Sequence, residues 1–395
     1  SFLLEELAQI SGARLGPSAD PAFRIVDVCA VGPLEAGFIS FANKPIHGVP
    51  AVGQMDGALV VPNREMPAGL TRQMLIADEP QRAFALIVTH FYPPALQPQW
   101  ESGDRAVSPS ASLGANVRIA AGAFMGPNVE IGEGTIIGPN AVLGPGVRIG
   151  RWTRIGAGVS ISHALIGDRV LIHPNASIGQ DGFGFVGGPS GHLKVPQLGR
   201  VIIQDDVEIG SLTAIDRGAL GDTIVGQGTK FDNLIQIGHS SHVGRHCIMA
   251  GAAGLAGSVT LEDFVVIGGG VRVSDHVTVG RGTMVAGGSG VTKDIPAGEV
   301  YGGLPARPIT LWKREVALLA KMVGVSKVTI TESAAIGAQG AVGGGPGGPP
   351  IIQVTLEPSS RFDVSDSPTM LINNGFRLTQ FSEAAVNLET AFMRR

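Results

Sequence analysis

The sequence predicts a mainly β protein whose centre is a parallel β-helix, with a small α/β domain before it and a helix after it. Three observations carry that prediction. From Val225 to Val291 a large apolar residue falls at every sixth position: Val225, Phe231, Ile237, Val243, Met249, Leu255, Leu261, Ile267, Val273, Val279, Val285 and Val291. A helix repeats every 3.6 residues and a half-buried strand every 2, so neither yields a period of six. A chain that turns a corner every six residues does, with one apolar side chain per short strand pointing at the axis of a stack. Second, the residues between are mostly Gly, Ala, Ser, Thr, Asp and Arg, and the chain holds 58 glycines, which supply the positive φ angles of tight corners. Third, residues 1–100 lack the period and read as a separate mixed domain.

Taken in order, Leu3, Leu4, Leu7 and Ile10 share one face of a short opening helix, closed by Gly12 and Gly16. Phe23–Val28 and Ala58–Val61 alternate like strands, and Ala83–Val88 suits a second helix. Pro93, Pro94 and Pro98 mark a linker, so the first domain closes near residue 100. The period opens at Val107 and runs through Leu113, Ile119, Met125, Ile131, Ile137, Leu143, Ile149, Ile155 and Ile161. One residue is dropped before Ile166, Ile172 and Ile178. Gln180–Arg200 breaks the count and is expected to loop out of the column. Ile203, Ile209 and Ile215 resume it, and a short insertion precedes Val225. Three such segments make one coil, so the domain at 101–300 holds roughly nine coils and stands about 40–45 Å tall at the ~4.8 Å spacing of strands. Within 301–323, Thr310–Val323 reads as a helix with Trp312, Val316, Leu319 and Val323 on one side. In the tail at 324–395, Gly337–Pro350 is a flexible linker, Ile351–Leu356 is strand-like and Ser382–Met393 is helix-like. No role is read for that tail.

A net charge of −4 argues against a nucleic-acid partner. Cys29 and Cys247 match no metal or redox spacing. The first residues carry acids where a signal peptide needs bases. The longest uncharged run, Ser333–Leu356, is too rich in Gly and Pro for a membrane helix. A cytoplasmic location with no transmembrane segment is the expectation.

Four stretches narrow the reading: Ile39-Ser-Phe-Ala-Asn43, Gln180-Asp-Gly-Phe-Gly-Phe185, Ile215-Asp-Arg-Gly-Ala-Leu-Gly-Asp-Thr223 and Asp232-Asn-Leu-Ile-Gln-Ile-Gly-His239. The six-residue repeat resembles the superfamily of hexapeptide-repeat acyltransferases. With the four stretches, roughly residues 1–323 resemble the UDP-3-O-acylglucosamine N-acyltransferases of lipid A biosynthesis. That resemblance implies a left-handed parallel β-helix, where the general crossover rule would make it right-handed. It implies a homotrimer with active sites between subunits. The implied reaction moves a 3-hydroxyacyl chain from the phosphopantetheine of acyl carrier protein to the 2-amino group of a UDP-linked, 3-O-acylated glucosamine, with no bound cofactor. Two departures stand out. In Ser40-Phe-Ala-Asn-Lys-Pro-Ile-His47, His47 occupies the place of the family's uridine-stacking aromatic, and the chain leaves the family's helical ending soon after Val323.

Amide formation from a thioester needs a base for the attacking amine, a donor for the oxyanion and aligned substrates. His239 is the general-base candidate, since a neutral imidazole suits neutral pH, and the resemblance points to the same residue. A nearby carboxylate, Asp232, is the candidate for fixing its tautomer. Gly257 lies one coil above His239, and its N–H is the oxyanion-donor candidate. His276 lies two coils plus one residue beyond His239; the resemblance gives it the carrier phosphopantetheine or a substrate phosphate. The resemblance also assigns Asn233 and Gln236 to substrate, and Phe41, Asn43 and His47 to the uridine, Phe41 by stacking and Asn43 by hydrogen bonding. The plainer readings are corner residues for the histidines and the glycine, and a core ring for Phe41.

His239, His242 and His246 invite a metal. Steps of three and four residues on a prism turn side chains to different faces, where a tetrahedral site needs convergence, so no metal is expected. Gly182–Gly187 matches G-x-G-x-x-G, but it opens no helix in a βαβ unit; a loop whose two aromatics cover a substrate fits better. Arg307, Lys313, Arg314 and Lys321 against Glu315 form a basic stretch suited to acidic acyl carrier protein. Two alternatives stay open: a sister hexapeptide transferase that acylates a hydroxyl or uses acyl-CoA, and a non-catalytic or metal-binding β-helix.

Overall fold

The computed structural model describes residues 1–30, 34–42, 56–63, 73–96, 106–188 and 191–313, and the backbone of two further strands at 325–333 and 351–358. Helix α1 (Leu4–Ser11) ends at Gly12, whose φ of 67° lets its N–H turn back to the carbonyls of Ala8 and Gln9. A five-stranded sheet follows in the order Arg14–Leu15, Gln73–Ala77, Ala58–Pro62, Phe38–Phe41, Asp27–Val28. Only Arg14–Leu15 pairs antiparallel. The strand Ala58–Val61 is buried at every position, as a parallel strand covered on both faces must be. Helix α2 (Pro80–Phe91) supplies Phe84 and Ile87 to the core with Leu4, Leu7, Val60 and Leu75.

The column has three parallel sheets. Face I runs from Phe124–Met125 to Gly290–Val291, face II from Ser112–Leu113 to Thr278–Val279, and face III from Arg118–Ile119 to Val300–Gly302. Each strand pairs with the one a full coil away, as Ile237 with Leu255. All twelve residues of the Val225–Val291 series are at most 3% exposed. In the first coil Leu113 and Ile119 are 42% and 36% exposed, because an end coil has a neighbour on one side only.

The corners are not the preserve of glycine. Trp152, Leu212, Leu234 and Phe264 also adopt left-handed backbone, with φ of 57–64°. Such residues ordinarily avoid that region. Here each corner N–H is tied to the coil below, as Leu234 N–H to Ser211 O at 3.0 Å and Trp152 N–H to Glu133 O at 2.8 Å, so stacking over-determines the turn. Carboxylates brace the same edges: Asp168, Asp222 and Asp263 each accept from the backbone N–H and the guanidinium of an arginine on an adjoining coil (Arg151, Arg200 and Arg245).

The two excursions from the repeat fall where expected. After Ser177–Gln180 the chain leaves the column, forms a hairpin of Phe185–Val186 against Leu193–Lys194, and returns at Val201–Ile203. A second excursion joins Ala214–Asp216 to Thr223–Val225. The excursions bond to each other through Leu198 N–H to Ala219 O (2.7 Å) and Gly199 N–H to Gly218 O (2.9 Å). Leu198 and Leu220 then pack on the core of the N-terminal domain. At the far end a helix starts over 309–313; Val316, Leu319, Val323, Arg314, Glu315 and Lys321 lie outside the described residues. Ile351–Pro358 is a strand, as its sequence suggests, and pairs antiparallel with Val325–Ser333, a partner the sequence reading lacked. The Gly337–Pro350 linker and the Ser382–Met393 helix lie outside the described residues. Among the described residues no helix is long and apolar enough to cross a membrane.

Candidate active site

In one coil the chain leaves face I after the strand Gln236–Ile237 and turns through Gly238, His239 and Ser240 onto face II at His242–Val243. The turn leaves the His239 side chain half-buried at this edge, in a cleft of about 560 Å³. Asp181, Phe183, Lys194, Asp216, Gln236 and Gly257 are among its walls. Gly257 lies one coil above, tied through Ser258 N–H to His239 O at 2.8 Å. A Cβ on Gly257 would stand 2.7 Å from both Cε1 and Nε2 of the imidazole. Glycine is therefore needed for contact with the ring rather than for backbone conformation. Its own N–H has no acceptor among the described residues. A Cβ on Gly182 would fall 2.5 Å from the His239 Cβ, so the start of the first excursion lies directly on the histidine.

The imidazole is asymmetric in its surroundings. Nδ1 is sealed from solvent with no hydrogen-bond partner, and Gln197 Oε1 is in the same condition. Asp216 ends its strand one coil below Gly238, given that Ile215 pairs with Ile237. It accepts from Gln180 Nε2 at 2.7 Å. Burial pushes the Asp216 carboxyl up, against the opposing pull of Gln236, Gln180 and His239. Asp181 is held by Lys194 Nζ at 2.7 Å and faces Arg217 Nη1 at 3.8 Å. Arg217 is 7% exposed and donates through Nε to Gly199 O at 2.7 Å, fastening the base of the hairpin. Where the chain enters the hairpin, Phe183 and Phe185 pack 5.0 Å apart, with Phe183 85% exposed beside the cleft.

His276 stands on the same edge, exposed, its N–H on Gly257 O at 3.1 Å, two coils above His239 as the spacing requires. Gln236 lines the His239 cleft. Asp232 requires a correction. Its Oδ1 accepts from Asn233 and its Oδ2 from Gly251 N–H at 3.0 Å. It lies on the corner between faces III and I, in a second cavity with His173, Glu208 and Lys230. It is therefore not the carboxylate beside His239 within the chain. Asn233 shares that corner, where its Oδ1 accepts from Ser211 N–H at 2.8 Å. The side of the prism on which a residue falls depends on where each corner turns, and between Asp232 and His239 the chain crosses all of face I.

Phe41 ends the strand Phe38–Phe41, half-buried with its ring 5.0 Å from that of Phe84; Asn43 and His47 lie outside the described residues. His239, His242 and His246 diverge: His242 is exposed on face II, and His246 stacks on Phe264 at 5.2 Å on the next corner. The G-x-G-x-x-G match runs through the cleft wall into the hairpin, not into a helix. Sequence reasoning missed Asp216, Gln180, Gln197 and the Asp181–Lys194 pair. The first two sit inside the quoted motifs, which was the available signal.

A column of six-residue segments with a histidine cleft at one corner defines a hexapeptide-repeat transferase. The family described as bacterial transferase hexapeptide (six repeats) matches residues 128–163, in the coils below the cleft. The UDP-3-O-acylglucosamine N-acyltransferase of Methylorubrum extorquens (strain PA1) is 47% identical over 330 residues, 81% of this chain and 93% of that relative. Its namesake in Methylobacterium sp. (strain 4-46) is 47% identical over 332 residues, with the same coverage of 81% and 93%. The chain belongs to the UDP-3-O-acylglucosamine N-acyltransferase family. Among solved structures, the UDP-N-acetylglucosamine acyltransferase from Campylobacter jejuni is 24% identical, covering 51% of this chain and 73% of that one, with a TM-score of 0.39.

Proposed function

We propose that this protein transfers a 3-hydroxyacyl chain from the phosphopantetheine of acyl carrier protein to the 2-amino group of UDP-3-O-acyl-glucosamine. The observation that carries the reading is the contact of His239 with Gly257 in an open cleft, in a chain whose relatives bear that activity in their names. His239 takes the proton from the attacking amine through Nε2, the nitrogen that is not sealed. The Gly257 N–H donates to the oxyanion that forms as the amine adds to the thioester carbonyl. Collapse of that intermediate releases the carrier thiol, with the proton returned by His239. The donor brings its own phosphopantetheine, so the reaction uses no resident cofactor. His276, on the same edge, serves the donor's phosphopantetheine or a substrate phosphate, and Phe41, Asn43 and His47 serve the uridine.

The proposed assembly is a homotrimer. Face III and its corners expose Ile248, Met284, Phe264 and Leu234, each 47–56% exposed, and such surface is ordinarily covered by a partner. In a threefold ring one edge of each copy meets a different edge of the next, which lets the Asp232–Asn233 corner reach a neighbour's His239 cleft. Arg307, in the strand before the last helix, and Lys313, within it, suit an acidic carrier protein. A cytoplasmic location is the natural one for that donor.

The test is acyl transfer from 3-hydroxyacyl carrier protein to the UDP-linked amine, with wild type and His239→Ala compared and the mass of each assembly measured by light scattering. The substitution is expected to lower kcat by about 10²–10⁴-fold in an intact trimer. Full activity in the variant would remove His239 from the chemistry. Activity with acyl-CoA on a hydroxyl acceptor, and none on the amine, would favour the sister transferases.

A further inference from the structure

We propose that Asp216 is the positioning residue for His239; the proposal rests on reading His239 as the base. An imidazole accepts a proton at one nitrogen only while the other holds its own, and the tautomer is set by what that second nitrogen bonds. In His239 the second nitrogen is Nδ1, sealed from water and without an acceptor. A buried N–H is rarely left in that state. Two carboxylates line the cleft, Asp181 and Asp216. Asp181 is engaged by Lys194 at 2.7 Å and faces Arg217. Asp216 accepts from Gln180 Nε2 through Oδ1 and also from the Gln236 side chain, and a carboxylate with about four lone-pair sites has room for a further donor. Its carboxyl lies close enough to His239 to respond to the imidazole's charge.

The backbone fixes this arrangement. Gln180 pairs with Asp216 one coil below, and Ile215 pairs with Ile237 one coil above. Gln180, Asp216 and the turn carrying His239 thus occupy successive coils on one side of the column. Asp216 sits at a strand end rather than in a free loop, and the chain departs into its excursion immediately afterwards. The Nδ1–Asp216 bond is not made in this structure. A turn of the imidazole about Cβ–Cγ as the acceptor binds closes it, as catalytic hydrogen bonds commonly tighten on substrate binding. The resulting order is Gln180 amide, Asp216 carboxylate, Nδ1–H, with Nε2 free for the amine.

The test uses the full-length protein with ¹⁵N-labelled histidine, the His239 signals being identified by their loss in His239→Gln. Above the imidazole titration, wild-type His239 is expected as the Nδ1–H tautomer. In Asp216→Asn it shifts toward Nε2–H, and kcat falls roughly ten- to a hundredfold, the range for groups that orient a functional imidazole from behind. KM for the UDP-sugar stays within about twofold of wild type, and Asp216→Glu recovers part of kcat. The groups sharing the cleft, Asp181, Lys194 and Arg217, are unchanged in these variants, so a shift confined to His239 marks Asp216 as its cause. An Nε2–H tautomer in wild type overturns the proposal, and so does an Asp216→Asn variant with unaltered tautomer and kcat. If that variant does not fold, the wild-type tautomer decides alone. An inactive wild type with the expected tautomer, shifted by Asp216→Asn, leaves the pairing standing and removes the functional reading instead.

Discussion

Gly257 shows how much a missing side chain contributes at the scale of one residue. Gly257 is not among the corner residues with left-handed backbone, so its conformation does not call for glycine. What excludes a Cβ is the imidazole of His239 at 2.7 Å. Gly257→Ala is accordingly expected to leave the coil folded and to push the ring aside. A displacement of about 1 Å at a reacting group costs on the order of 10² in rate. Steady-state kcat beside the unfolding midpoint checks this: a large fall in kcat with a midpoint within a degree or two supports the contact, and unchanged kcat rejects it. The relative heights of His239 and Gly257 were legible in sequence because coils of constant length translate spacing into height. Asp232 was misplaced because the same count says nothing of which edge a corner turns toward the cleft.

At the scale of elements, the first excursion is the part of the site that the repeat cannot specify. It is clamped by Arg217 on Gly199 and by the Asp181–Lys194 pair, while Phe183, just before its first strand, is open to solvent. A short hairpin with its aromatic residue exposed has a low local opening free energy. Replacing Lys194 with Ala frees Asp181 and loosens the hairpin. Hydrogen exchange of the amides at 183–195 is expected to quicken several-fold, while the strands at 236–237 and 254–255 keep their protection. Equal quickening of both would mean that the pair supports the column and not the hairpin. The existence of an excursion was plain from the broken period; its antiparallel hairpin form was not, because Phe185–Val186 and Leu193–Lys194 are too short and too polar around them to announce strands.

For the whole molecule, the inter-coil arginine–aspartate pairs give a pH dependence with a definite sign. Arg151 holds Asp168, Arg169 holds Asp206, Arg200 holds Asp222 and Arg245 holds Asp263 below the ordinary carboxylate value of 3.8. A carboxyl lowered on folding stabilises the folded state above its unfolded pKa, and that contribution is lost as pH falls through the folded value. Asp216, raised by burial, works in the opposite direction. Unfolding midpoints in urea are therefore expected to hold from pH 7 to about 5 and to fall below about pH 4. Each pair is exposed and contributes little by itself, and added salt is expected to shrink the effect. A midpoint that does not move between pH 5 and pH 3 would mean that the pairs contribute nothing.

The sequence by itself determined the column, because a solenoid is close to one-dimensional. Each coil touches only its neighbours, so an unbroken six-residue series from Val225 to Val291 forces the stack, its pitch and the heights of His239, Gly257 and His276. It also marked where the stack is interrupted. Only the tertiary structure decided which carboxylates line the histidine's cleft, how Phe41 packs on Phe84, and how the two excursions knit together beneath the N-terminal domain. Those facts depend on side-chain direction and on contacts between segments far apart in the chain. A periodic pattern records distance along an axis and leaves the angle around it open.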